Sequence, residues 1–262
     1  VINVLKNIII QQVEMIVDCF TFYNELDLLE LRLEELDEYV DKFIIVEATT
    51  THSGKDKEMY YAKNAHRYRK WKDKIIHAGV TIPFNPDNLW EGENAQRETI
   101  SHILKDLDLS LDTKIMISDV DEIPNMKKIT DDSLWDKPTG CIQYHYEYNI
   151  NHLLNMTWVG TVLCRNYHIE EYGVQYFRDQ RWDLPNKINS GWHLSSFGDA
   201  DMVFNKHINY AHANDDKHKG QTKEDFQRYI DEGIHADGVS THYIINNHTG
   251  DMLPISLRRR NL

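Results

Sequence analysis

Three carboxylates fall within four positions at the end of Lys114-Ile115-Met116-Ile117-Ser118-Asp119-Val120-Asp121-Glu122-Ile123-Pro124. The apolar run before them is strand-forming, and Pro124 blocks further sheet pairing. Buried strands of α/β proteins read this way, and ligands sit just beyond their carboxyl ends. Asp119 and Asp121 would concentrate negative charge there, which water, a cation or a proton must offset. The chemistry this suggests is a divalent metal carrying a phosphorylated ligand; the competing reading is an acidic turn at a strand end. Asp-x-Asp recurs at Asp106/Asp108 and Asp199/Asp201. Only the Asp119/Asp121 pair directly follows a strand-like run, and that context singles it out.

Other stretches could supply ligand contacts. Thr49-Thr50-Thr51-His52-Ser53-Gly54-Lys55 is rich in hydroxyls and carries a glycine, so it could cradle phosphate or hold ribose. It lacks P-loop spacing, and an ordinary surface loop is the alternative. His193, His207 and His212 follow the acidic triplet. His193 stands out because flanking glycines would let its loop approach a ligand closely. Tyr144, Tyr146 and Tyr148 would share one strand face, as a sugar-binding wall or as ordinary sheet packing. The basic segment from Asn64 to Lys74 reads as a solvated helix face or a ligand contact.

The elements that must position these residues alternate. Met15–Phe22 reads as a strand, followed by an amphipathic helix carrying Leu28, Leu29, Leu33, Leu36 and Val40, with Asn24 as its cap. Lys42–Ala48 is a second buried-type strand, completing a βαβ unit. A short strand at Lys74–His77, a helix from Trp90 to about Leu107 and the strand at 115–118 keep the alternation. Residues 15–125 therefore read as one nucleotide-binding α/β layer. The second half changes character: Gly140–Asn151 alternates with period two and Thr157–Arg165 is its partner, so antiparallel additions are expected. A helix reaching Lys206-His207 follows the Gly191-Trp192-His193 stretch. We expect one domain over 1–262, with a ligand half (15–125), an acceptor-side half (126–240) and a C-terminal tail (241–262).

With 262 residues the chain can bury a substantial core. A formal charge of −13 disfavours electrostatic binding to nucleic acid. Cys19, Cys141 and Cys164 have no metal-ligand spacing and suggest no disulfide framework. Sequons at Asn155-Met156-Thr157 and Asn247-His248-Thr249 matter only in a secretory lumen. No stretch approaches the length of a membrane span, and Gln11, Gln12 and Glu14 interrupt the apolar run from Ile8 to Val17. As given, the chain reads as soluble, with compartment and oligomeric state open.

Several stretches match a known family in order. They are Asp18-Cys19-Phe20-Thr21-Phe22-Tyr23-Asn24-Glu25-Leu26-Asp27-Leu28-Leu29-Glu30, Val46-Glu47-Ala48 with Thr51-His52-Ser53-Gly54, and Ile117-Ser118-Asp119-Val120-Asp121-Glu122-Ile123-Pro124. Gly191-Trp192-His193-Leu194-Ser195 and Lys206 with Ala211-His212 complete the set. Together they resemble glycosyltransferase family 17, over about residues 17 to 235. The resemblance implies a GT-A-like fold with a mixed, mostly parallel central sheet. It also implies a UDP-sugar donor (UDP-N-acetylglucosamine), a glycan acceptor and inversion at the anomeric carbon. The chain departs from the family pattern at Ala213-Asn214, where an acidic residue is usual; Asp215 lies one step later.

The residues and the resemblance converge on glycosyl transfer, with roles to match. Asp121 is expected to bind Mn²⁺ or Mg²⁺ bridging the donor phosphates, as a Lewis acid for the departing diphosphate. Asp119 would orient ribose or a water on the metal, and His193 would be a third metal ligand or touch the diphosphate. Glu47 and Thr51, His52, Ser53 and Gly54 would hold uridine. Inversion needs a base for the acceptor hydroxyl; Asp179 is favoured, between Arg178 and Arg181, which could hold it ionised. An Asp-x-Asp phosphohydrolase is the first alternative. A non-catalytic carbohydrate-binding protein using the tyrosines with Trp158, Trp182 and Trp192 is the second.

Overall fold

The structure is a computed structural model that describes residues 14–209, 220–245 and 247–259. His212, the Ala211-His212 pair, Ala213-Asn214, Asp215 and the apolar run from Ile8 lie wholly or mainly outside the described residues. The strands are β1 (Ile16–Phe22), β2 (Lys42–Ala48), β3 (Ile75–Val80), β4 (Lys114–Asp119), β5 (Glu122–Ile123), β6 (Thr139–Glu147), β7 (His152–Arg165), β8 (Asn186–Ser195) and β9 (His242–Ile244). The helices are α1 (Leu26–Leu36), α2 (Tyr60–Asn64), α3 (Trp90–Asp106), α4 (Ser133–Asp136), α5 (Asn166–Tyr172), α6 (Val174–Gln180), α7 (Ala200–His207), α8 (Lys223–Glu232) and α9 (Ile255–Arg259).

Strands from both halves enter one sheet in the order β3-β2-β1-β4-β7-β6-β8-β5, with β9 on β7. The first four are parallel, because each returns through a crossover that covers a face of the sheet. β7 then runs antiparallel to β4 and β6, while β8 is parallel to β6. The expected mixed α/β layer, with parallel strands first and antiparallel strands later, is the one observed. β1, β2 and β4 are almost fully buried, which is why they read as continuous apolar runs rather than alternating ones.

Two apolar clusters flank the sheet. Phe20, Leu29, Leu33, Phe43 and Trp192 lie in one, and Val17, Ile44, Ile100, Ile117 and Phe177 in the other. The tail joins the first through Leu253 and Leu257, and Ser256 donates to Glu35 of α1 at 2.6 Å. Cys19, Cys141 and Cys164 are buried free thiols.

The structure decides four local points. Asn24 does not cap α1: Glu25 holds that position, and its carboxylate accepts from Tyr23 N (3.2 Å) and Asn24 N (3.0 Å). The basic segment packs on α1, with Arg67 paired to Asp27 and Glu30 and Lys70 to Asp37, so it is a helix face and not a ligand contact. The three tyrosines do not all share a face: Tyr144 and Tyr146 do, opposite Trp192 and Leu194 of β8, but Tyr148 leaves it. Tyr144 is exposed, Tyr146 enters the main core, and Tyr148, at φ 66°, swings into a separate cluster with Phe226 and Tyr229. Pairing also continues past Asp121: Glu122–Ile123 pair with His193 and Trp192 of β8 before Pro124 ends the strand.

Candidate functional site

A cleft opens over the carboxyl ends of β1, β2 and β4. Thr21, Tyr23, Thr50, Thr51, His52, Asp119 and Asp121 line it, with Glu93, Gln96 and Arg97 of α3, Glu25, Lys57, Lys206 and Asn209. The parallel register explains the convergence: Thr21 of β1 sits beside Asp119 of β4, so residues at the strand ends share one edge.

The turn carrying the carboxylates is held from three sides. Arg32 of α1, fully buried and paired with Asp18 at 2.6 Å, donates to the carbonyls of Asp119 (3.1 Å), Val120 (3.3 Å) and Glu122 (2.9 Å). Glu122, also fully buried, accepts from Asp119 N at 2.9 Å and from Trp158 Nε1 at 2.6 Å. Arg178 of α6 clamps both Glu122 oxygens (2.8 and 2.7 Å) and reaches Asp119 Oδ2 at 2.5 Å. Glu122 thus braces the turn, and the turn's conformation depends on buried charge pairs.

Asp119 has both oxygens committed. Oδ1 accepts from Arg97 Nη2 (3.0 Å) and Thr21 Oγ1 (3.1 Å), and Oδ2 from Arg178. Burial alone would raise its pKa, but the two guanidiniums hold it well below the usual carboxylate range. The negative charge foreseen at this strand end is therefore offset by arginines. Asp121 is freer. Its Oδ2 accepts from Lys206 Nζ at 3.1 Å, and its Oδ1 faces His193 Nε2 at 3.8 Å. Burial, with Lys206 and Arg178 nearby, lowers the His193 pKa to about 3, so the ring is neutral and a nitrogen lone pair is available. Its Nδ1 is buried without a hydrogen-bond partner.

Among the described residues no group of three or more His, Cys, Asp or Glu side chains could hold a metal ion. Asp121 and His193 still fit a hard cation as a pair, a carboxylate facing a neutral imidazole, if ligand oxygens complete the shell. Both oxygens of Asp119 carry guanidinium bonds, which disfavours it as a metal ligand while leaving a second lone pair on Oδ2 to accept from a hydroxyl.

The remaining expected residues divide. Thr51 and His52 reach the cleft; His52 Nε2 bonds Gln96 Oε1 at 3.0 Å, and Gln96 is itself fixed by Val46 O at 2.9 Å. Ser53 and Gly54 lie behind it. Ser53 bonds Thr51 Oγ1 at 2.9 Å, and Gly54, at φ 81°, lies so close to the Phe84 ring that a Cβ would meet it at 2.6 Å. Glu47 is fully buried and occupied by Tyr60 N, Tyr61 N, Lys57 and His77, so it braces the 57–61 segment and does not face the cleft. Asp179 lies outside the cleft on an exposed face of α6, accepting from Gln175 Nε2 at 2.8 Å. The arginines expected to hold it turn elsewhere, Arg178 to Asp119 and Glu122, Arg181 to carbonyls. The glycine before His193 serves the backbone: at Gly191, φ 105°, a Cβ would meet Ile123 O at 2.2 Å.

Sequence reasoning missed Arg97, Arg178, Gln96, Glu25 and Glu93. Glu93 and Arg97, four apart on α3 and bonded at 2.8 Å, carried a helical-pair signal. Arg178 carried none. The other two Asp-x-Asp triplets have ordinary roles: Asp199 caps α7 by accepting from Met202 N, Asp201 pairs with Lys223, and Asp106 ends α3.

Fold and cleft together are those of an α/β enzyme working at the carboxyl edge of a parallel sheet. A model of glycosyltransferase family 17 matches residues 7–246, and the chain belongs to that family. It is a glycosyltransferase, which sets aside the phosphohydrolase and the non-catalytic binding protein. No curated protein matches the chain. Among solved structures, HddC from Yersinia pseudotuberculosis is 15% identical, covering 69% of this chain and 89% of its own at a TM-score of 0.38. The galactosyltransferase LgtC, in complex with donor and acceptor sugar analogs, is 11% identical, with 64% of each chain covered and a TM-score of 0.35. The glycosyltransferase GlyE of Streptococcus pneumoniae TIGR4 is 11% identical, covering 72% of this chain and 46% of its own at 0.32. These are likenesses at low identity; the family rests on the model match. Among the described residues no helix is long and apolar enough to cross a membrane.

Proposed function

We propose that the protein is an inverting, metal-dependent transferase that moves N-acetylglucosamine from its UDP conjugate to a hydroxyl of a glycan. The observation that carries this reading is Asp121, at the β4 edge, with one oxygen facing a neutral His193. Asp121 and His193 would hold Mn²⁺ or Mg²⁺, which when bound supplies Lewis-acid stabilisation to the departing diphosphate.

The chain's own residues do the rest. Lys206, whose ammonium is stabilised by Asp121 and Glu25 against the effect of burial, adds positive charge beside the diphosphate position. Asp119, locked by Arg97 and Arg178, serves as a fixed acceptor for ribose at its cleft edge. Tyr23, Thr50, Thr51 and His52 line the side where the nucleoside would lie. The acceptor proton is assigned to a carboxylate of the cleft wall, Glu25 or Glu93, since Asp179 faces away.

Asp121→Asn should weaken UDP–Mn²⁺ binding at least about tenfold and erase the metal dependence, read by calorimetry. Unchanged affinity and unchanged metal dependence would remove the central assignment.

A further inference from the structure

Behind the Asp121–His193 pair runs a set of rings that the donor reading does not use. The pairings Glu122↔His193, His145↔His193 and Gln143↔Trp158 bring these side chains to one face of the sheet. Trp158 stacks on His193 with centroids 4.7 Å apart and an interplanar angle of 27°. Trp182, just past the end of α6, meets Trp158 edge to face at 5.6 Å and 88°. Trp182 is 42% exposed, whereas Trp192 is buried in the core and donates to Asp251 O.

Arg181 lies against both indoles, its guanidinium carbon 5.3 Å from the Trp158 ring and 5.8 Å from the Trp182 ring. Its Nε donates to Val159 O at 3.1 Å and its Nη1 to Arg178 O at 2.6 Å. Among the described residues no carboxylate pairs with it, although Arg32, Arg97 and Arg178 all have one. Burial and Arg178 lower its pKa to about 10, so it stays charged at neutral pH.

An exposed indole held in place by a second indole and flanked by a cation with donors to spare is poor packing. It suits a ligand with one apolar face and a rim of hydroxyls. A pyranose ring is such a ligand: its C–H face lies on an aromatic ring while its oxygens accept from a guanidinium. Nucleic-acid bases would stack as well, but the chain's charge of −13 opposes a polyanion. A chain of contacts links the site to the cleft wall: Trp158 stacks on His193, and His193 faces Asp121, which lines the cleft.

We propose that Trp182 and Arg181, backed by Trp158, form the platform that binds the acceptor sugar, and that it takes a neutral pyranose of an oligosaccharide. The assignment of this ligand as acceptor rests on the transferase reading; the platform itself does not. The test presents an array of neutral N-glycan and other oligosaccharides to the labelled protein in the presence of UDP and Mn²⁺, with UDP affinity measured separately. Wild-type protein should capture at least one oligosaccharide, Trp182→Ala should lose at least about tenfold in that affinity, and Trp182→Phe should recover most of it. Arg181→Met should weaken capture in the same direction. Capture by Trp182→Ala equal to wild type, or no capture by wild-type protein, overturns the platform. Trp182-dependent capture by a protein that binds no UDP would keep the platform and remove the UDP-donor reading.

Discussion

Two neighbours on α6 carry opposite roles because a helix turns about 100° per residue. Arg178 points inward and joins Asp119 to Glu122, while Asp179 points out to Gln175. Removing the buried cation leaves two carboxylates near each other, one of them fully buried, so Arg178→Met should cost about 3–5 kcal/mol in urea unfolding. Adding Glu122→Gln to that variant should restore part of the loss. Asp179→Asn should change stability by no more than about 0.5 kcal/mol and leave the transfer rate within about twofold. A strong fall in rate with UDP affinity intact would instead return Asp179 to the acceptor side. The same contrast shows what residue types can disclose. Asp119 and Asp121 were visible because a strand run points at them. Their separate duties, one sealed by arginines of α3 and α6 and one open to His193 of β8, depend on elements distant in sequence and left no local trace.

At the scale of elements, the βαβ layer was legible because buried parallel strands are uniformly apolar and α3 keeps a helical period. The ligand edge followed from that layer. The short β5 strand was not legible: two residues before a proline give no periodicity, and their partner β8 lies about 70 positions on. Yet β5–β8 pairing is what sets His193 beside the carboxylates, with Leu194 N bonded to Asp121 O at 2.9 Å. Gly191 permits that close approach, since its φ of 105° and the 2.2 Å from a would-be Cβ to Ile123 O exclude any other residue without a shift. Gly191→Ala should therefore destabilise the protein by at least about 2 kcal/mol in urea unfolding. It should also weaken the metal dependence of UDP binding, although it touches no ligand. A variant as stable as wild type would show that the β5–β8 pairing is slack.

Across the whole molecule the formal charge is −13, yet the site is built from buried charges that largely cancel. What does not cancel with pH is the set of imidazoles kept neutral by burial. His145, stacked on His193 with centroids 4.4 Å apart, has its pKa lowered to about 2 by burial and by His193, and His193 is lowered to about 3. His152 and His168 are shifted the same way, chiefly by burial. Below pH 6.5 the unfolded chain takes protons on these rings that the folded chain refuses, so the unfolded state gains. Stability should then fall by about 1.4 kcal/mol per pH unit for a ring such as His145, down towards its folded pKa. Asp119 has the depressed carboxylate pKa, and its stabilisation is intact until the pH drops below the unfolded value near 3.9, so it does not alter the sign between pH 6.5 and 4. Urea unfolding of the metal-free protein at pH 7.5, 6.5, 5.5 and 4.5 should thus show a plateau and then a steep decline. His145→Phe, which keeps the ring and removes the proton site, should make that decline shallower by about 1.4 kcal/mol per pH unit. A stability curve flat from pH 7.5 to 5, or the same slope in His145→Phe, would show that these rings accept protons in the folded state.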